Sequence, residues 1–128
     1  MLTGKKIVLG VSGGIAAYKM ANVASMLSKL HADIHVVMTE NATHFITPET
    51  FEVLTGNHCY TDTFDRCMEL HVPHIALGTQ ADAILIAPAS ADVVGKIANG
   101  IADDMLTTCV LPATCPVMLA PSMNVHMY

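Results

Sequence analysis

The stretch Lys6–Tyr18, KIVLGVSGGIAAY, limits what this chain can fold into. Ile7, Val8 and Leu9 run through Gly10 into Ser12-Gly13-Gly14, and Ile15-Ala16-Ala17 then begins a pattern at helical spacing. That order predicts a β-strand, a tight turn and a helix N-terminus, the opening unit of a parallel α/β sheet. The first amides of a helix have no partners within it, so a turn of this kind suits a phosphate. Glycine lets a ligand approach the backbone, and the Ser12 hydroxyl can donate a hydrogen bond. The same turn would also serve as a plain connection between a buried strand and its covering helix.

The second apolar run, Ile34–Met38, ends in Thr39 rather than in an acid. A dinucleotide fingerprint would carry G-x-G-x-x-G and an acidic residue for a ribose hydroxyl. Neither is present, and the Thr39 hydroxyl suits a phosphate, so a mononucleotide is the expected ligand. Between the two strands, Ile15–Leu30 reads as one helix with a broad apolar face.

The same logic carries through the rest of the chain. Residues 39–46 predict a short helix. Thr47, Pro48 and Gly56 predict a second one, as cap, first residue and stop. A short strand is expected around Cys59–Thr61, and a helix with Pro73 near its start follows. Ala83–Ala87 is apolar on both faces, as a central strand should be. Val93–Ala98 and Ala102–Leu111 read as helices, and Pro116–Ala120 as a fourth strand. The chain reaches Tyr128 a few residues beyond it, before a covering helix can form. A fragment, a further segment or an edge covered by another subunit is expected there.

Composition narrows the function classes. With 52% hydrophobic and 13% charged residues, much apolar surface must enter a single-domain core or a subunit interface. Six Lys and Arg against a net charge of −5 leave no electrostatic footprint for nucleic acid or anionic lipid. No apolar run is long enough for a membrane span, and a cytoplasmic, soluble protein is expected. Cys59, Cys67, Cys109 and Cys115 lack C-x-x-C spacing and read as free thiols. His71 and His74 are interrupted by Pro73, and no third ligand is spaced to join them, so no metal site is expected. Asp103-Asp104 suits exposure at a helix start.

In a parallel sheet the four strand exits lie at one edge: Ser12, Thr39, Pro88–Asp92 and Pro121–Asn124. One ligand can span them. The stretches GVSGGIAAYK (10–19), PASAD (88–92) and PSMNVHMY (121–128) resemble the signatures of the homo-oligomeric flavin-containing cysteine decarboxylases. The likeness covers essentially the whole chain and is nearest the bacterial branch that acts on 4′-phosphopantothenoylcysteine.

That resemblance implies a three-layer, Rossmann-like flavoprotein with a mostly parallel sheet. Residues 1–128 would form an FMN-binding decarboxylase domain without the family's C-terminal clamp. Ser12, Gly13, Gly14 and Thr39 would hold the FMN phosphate, and Ser90 and Ala91 would contact the flavin. His74 would be catalytic, while Pro121, Met123, Asn124 and Met127 would bind substrate. Oxidation of the substrate thiol by FMN would create a thioaldehyde, an electron sink for the departing carboxylate. His74 also suits a helix-terminal packing role, and Asn124 suits a cap. Asp92 stands where the family commonly has Asn, and Tyr128 where peptide-processing relatives have Trp. The family implies homotrimers, sometimes arranged as dodecamers, and a fused phosphopantothenate–cysteine ligase domain beyond the chain. A peptide C-terminal cysteine as substrate, or a noncatalytic FMN-binding subunit, are the alternative functions.

Overall fold

A computed structural model of the chain describes residues 1–63, 73–124 and 126, without the side chains of residues 73–75. The central sheet has four parallel strands in the order β2-β1-β3-β4, with β1 at Lys6–Val11, β2 at Asp33–Met38, β3 at Ala83–Ala89 and β4 at Val117–Pro121. Its helices are α1 (Met20–Lys29), α2 (Pro48–Thr55), α3 (Pro73–Gln80), α4 (Ala91–Ala98) and α5 (Met105–Val110).

Alternation along the strands feeds two separate cores. On one face Val8, Val37, Ile84 and Ile86 pack with Leu77 of α3, Val93 of α4, and Met105, Leu106 and Cys109 of α5. On the other face Leu9, Val11, Ile34, Val36 and Met38 pack with Ala24 of α1 and Phe51 of α2. Successive strand residues point to opposite faces, so a sheet with apolar residues at nearly every position needs a helical layer on each side. The expected three-layer α/β architecture is what forms.

Three of the boundaries that differ from the sequence reading have a clear physical reason. The first is the helix expected over Ile15–Leu30, which begins as a 3-10 turn, Ile15–Lys19, before α1 starts at Met20. No side chain caps this start at Gly14, and the Ala17 amide closes a tight bond on the Gly14 carbonyl at 2.9 Å. An uncapped helix end tightens in this way.

At the second, β3 continues through Pro88 to Ala89, and its pairing with β4 shifts register between Ile86 and Ala89. Proline has no ladder donor, which accounts for the irregularity. At the third, α5 starts at Met105 rather than Ala102 because Asp104 is its cap. The Asp104 carboxylate accepts from the Thr107 amide at 2.8 Å in a reciprocal capping box.

Helix α2 runs from Pro48 and stops at left-handed Gly56 as expected, although the Thr47 hydroxyl pairs with Thr50 rather than capping. The short strand expected near Cys59–Thr61 reduces to one bridge, Val37 to Tyr60. Among the described residues, no helix is long and apolar enough to cross a membrane, and no group of three or more His, Cys, Asp or Glu side chains is placed to hold a metal ion.

Candidate functional site

The carboxyl ends of β1, β2 and β3 and the segment after β4 meet at a cavity of about 440 Å³. Gly13, Thr39, Ser90, Ala91 and Met123 all line it, together with Asn41, Asp92, Lys96 and Ser122. Parallel topology alone brings these residues together across more than a hundred positions of sequence.

The site is rich in donors that the protein leaves unused. Among the described residues, the amides of Gly13, Gly14, Ile15 and Ala16 have no hydrogen-bond acceptor. Thr39 is only 7% exposed, and its Oγ1 accepts from the Ala42 amide at 3.2 Å. A hydroxyl carries one proton and two lone pairs, so that contact leaves the Thr39 proton free to donate. Ser90 caps α4 in the same sense: its Oγ accepts from the Val93 amide at 3.3 Å and its proton is unspent.

The two glycines of the turn differ. A Cβ on Gly13 would lie 2.5 Å from Asn41 Cβ and 3.1 Å from the Asn41 carbonyl carbon, so only glycine fits against that backbone. A Cβ on Gly14 would meet nothing nearer than Pro88 Cγ at 3.9 Å. Gly14 therefore borders open space, as a residue beside a bound ligand does.

Ser12 departs from its expected part. It is fully buried, its Oγ donates to the Pro88 carbonyl, and the same Oγ accepts from the Ser90 amide at 2.9 Å. The proton that the sequence reading offered to a phosphate is spent inside the protein.

Part of the lining is charged. Lys96 Nζ lies 3.1 Å from Asp103, 3.3 Å from Asp92 and 3.7 Å from Asp104. The hydrogen bond to Asp103 holds the ammonium pKa above its ordinary value, against an opposing desolvation. Lys96, Asn41, Glu40 and Val93 are lining residues that sequence reading missed. The Asp92–Lys96 spacing of four on a helix was a readable signal, whereas nothing local pointed to Asn41. Asp103-Asp104, read as an exposed helix start, belongs to this charged part, with Asp104 as the cap.

Pro121 ends β4 and is exposed, while Asn124 lies just beyond, where its Oδ1 accepts from the His126 amide at 2.9 Å. The His74 backbone is in the first turn of α3. The His74 side chain, Met127, Cys67 and Tyr128 lie outside the described residues. Burial, with the Asp104 carboxylate adding to it, pushes the Cys109 thiol up to about 12, so it stays protonated and unreactive.

A family model described as Flavoprotein matches residues 1–128. The chain belongs to the flavoprotein family. This flavoprotein is 51% identical over 128 residues to a protein named Coenzyme A biosynthesis bifunctional protein CoaBC from Bacillus subtilis, covering all of this chain and 32% of that one. It thus spans about a third of the length of the curated relatives it matches. Among solved structures it superposes on the FMN-dependent cysteine decarboxylase SpaF with a TM-score of 0.91 at 37% identity, over 99% of this chain and 73% of that one. It also matches a mutant PPC decarboxylase complexed with pantothenoylaminoethenethiol, with a TM-score of 0.81 at 32% identity, over 96% and 69% of the two chains.

The donor set of the flavoprotein fits FMN. Unpaired amides from Gly13 to Ala16 and the buried Thr39 hydroxyl suit the phosphate monoester, and the space beside Gly14 leaves room for what is attached to it.

Proposed function

We propose that residues 1–128 form the FMN-binding decarboxylase domain of a coenzyme A biosynthesis protein, converting 4′-phosphopantothenoylcysteine to 4′-phosphopantetheine. The observation that carries this reading is the set of unspent donors gathered at one sheet edge. The relationship to CoaBC proteins and cysteine decarboxylases supports the choice of cofactor and substrate.

When bound, FMN supplies a reversible hydride acceptor, so that the oxidised thiol-bearing carbon can take up the electrons left by departing carbon dioxide. The chain's own residues bind and orient. The amides of Gly13 and Gly14 and the Thr39 hydroxyl hold the phosphate, and Ser90 and Ala91 border the flavin. Lys96 keeps Asp92, Asp103 and Asp104 drawn together around one ammonium.

Asn124 orients the substrate carboxylate. Its Oδ1 is fixed by the His126 amide, which leaves the two Nδ2 hydrogens to donate. A neutral donor steers a carboxylate without holding it so tightly that its departure becomes costly. Pro121, Met123 and Met127 complete the substrate side. His74, whose ordinary pKa of about 6.5 suits proton transfer near neutrality, takes and returns the thiol proton. The domain works in the cytoplasm, as a homotrimer or a dodecamer built from trimers, beside a phosphopantothenate–cysteine ligase domain.

The test is carbon dioxide release from 4′-phosphopantothenoylcysteine by the FMN-loaded protein, with a peptide ending in cysteine as competitor. The small substrate is turned over, and His74→Asn retains the flavin absorbance while release stops. A folded protein that takes up no FMN, or full turnover by His74→Asn, contradicts the reading.

A further inference from the structure

The exits of β1 and β3 are fastened together by one buried side chain. Ser12 Oγ donates to the Pro88 carbonyl and accepts from the Ser90 amide at 2.9 Å, and the Ser12 amide donates to the same carbonyl at 3.3 Å. The Ser122 amide then donates to the Ala89 carbonyl at 3.1 Å, which extends the tie to the exit of β4. Three of the four strand ends that border the cavity are thus joined through polar contacts, and Ser12, with no exposed surface, is at their centre.

From this geometry we infer that Ser12 is a positioning residue of the flavin site and not a donor to the cofactor phosphate. The inference rests on the FMN reading above. A serine hydroxyl has a single proton, and that proton lies on Pro88. One oxygen lone pair is taken by Ser90, whose own hydroxyl remains free toward the cavity. Ser12 therefore acts at one remove. It places the Ser90 backbone, and with it the start of α4, relative to the Gly13-Gly14 turn. The phosphate is left to the turn amides and to Thr39.

Paired binding measurements with FMN and riboflavin, which lacks the phosphate, separate the two roles. Ser12→Ala weakens both ligands by a similar factor, about tenfold for the loss of buried hydrogen bonds. The ratio of the two affinities stays within about twofold, because a group acting through the protein scaffold does not discriminate the phosphate. Thr39→Val, in contrast, lowers FMN affinity and leaves riboflavin almost unchanged. The visible circular dichroism of bound flavin changes in Ser12→Ala while the phosphorus resonance of bound FMN does not move, a pattern that general loss of stability would not produce. Ser12→Cys, which keeps a weak donor and acceptor on a slightly larger side chain, shows the same pattern more weakly.

A measurement on the wild-type protein covers the case in which neither variant folds. Without flavin, the Ser90 amide exchanges its hydrogen slowly while those of Gly13 and Gly14 exchange fast. A fall in the FMN-to-riboflavin ratio in Ser12→Ala, a shifted phosphorus resonance, or fast exchange at Ser90 overturns the assignment and leaves the FMN reading in place. Failure of the folded wild-type protein to bind either flavin overturns the FMN reading and the positioning role together.

Discussion

Both ends of the sheet carry polar groups and spend them differently. At the amino end, polar groups are matched within the protein. The Lys6 amide donates to Asp82 Oδ2 at 2.8 Å, and the Asp82 amide returns a bond to the Lys6 carbonyl at 2.7 Å. Asn57 Nδ2 donates to Asp33 Oδ1 at 2.9 Å and to the Ile34 carbonyl at 2.6 Å, and His35 meets Asp33 at 3.1 Å. At the carboxyl end, by contrast, the turn amides and the protons of Thr39 and Ser90 are unspent. Unpaired donors out of full contact with water cost stability unless a ligand takes them up. The amino end holds the fold together, and the carboxyl end is kept ready for an anion.

The largest effect expected on this contrast comes from Gly13→Ala. Its new methyl would press on the Asn41 backbone, and overpacking of that kind costs about 1–3 kcal/mol. Calorimetry should show the lower melting temperature, with FMN affinity down by about a hundredfold as the turn is displaced. Gly14→Ala sharpens the comparison within the turn itself. Its backbone is extended, with φ at −175°, and the added Cβ meets no close neighbour. Stability should stay within about 0.5 kcal/mol of wild type while FMN affinity falls about tenfold. A Gly14→Ala protein that binds FMN normally would show that the ligand does not lie there.

At the amino end the effects should reverse. Asn57→Ala removes two hydrogen bonds and should cost about 1–2 kcal/mol in urea unfolding, with FMN affinity unchanged. The smallest effect concerns acid stability. Burial tends to raise the Asp33 pKa, but hydrogen bonds from His35 and Asn57 outweigh it and hold the carboxyl below its ordinary value. A carboxylate with a depressed folded pKa stabilises above its unfolded pKa of about 3.9, and that contribution is lost as pH falls through the folded value. Asp33→Asn should therefore be slightly less stable than wild type at pH 7. The two should converge once pH has fallen below that folded value, as melting temperatures across pH would show.

What could be read from the residues alone was whatever is local or periodic. The apolar runs of β1, β2 and β3, the glycine turn and the Pro48-to-Gly56 helix all carry their signal within a few positions. Convergence of Ser12, Thr39, Ser90 and Met123 was also legible, because parallel strands place their exits at one edge. The partners of those residues were not. Ser12 meets Pro88 and Ser90 across more than seventy positions, so its hydroxyl looked available when it was already committed. Lys96 had a readable neighbour in Asp92, but Asp103 and Asp104 reach it from the next loop. The tightened first turn after Gly14 depends on the absence of a cap, a weak signal beside the strong apolar periodicity of Met20 to Lys29.

Amide hydrogen exchange with and without FMN tests the contrast between the two ends most directly. FMN should slow exchange at residues 13–16 and 39–42 while leaving Asp33, Asn57 and Asp82 unchanged. Protection confined to the amino end, or no protection at the glycine turn in a protein that has taken up FMN, would contradict the account.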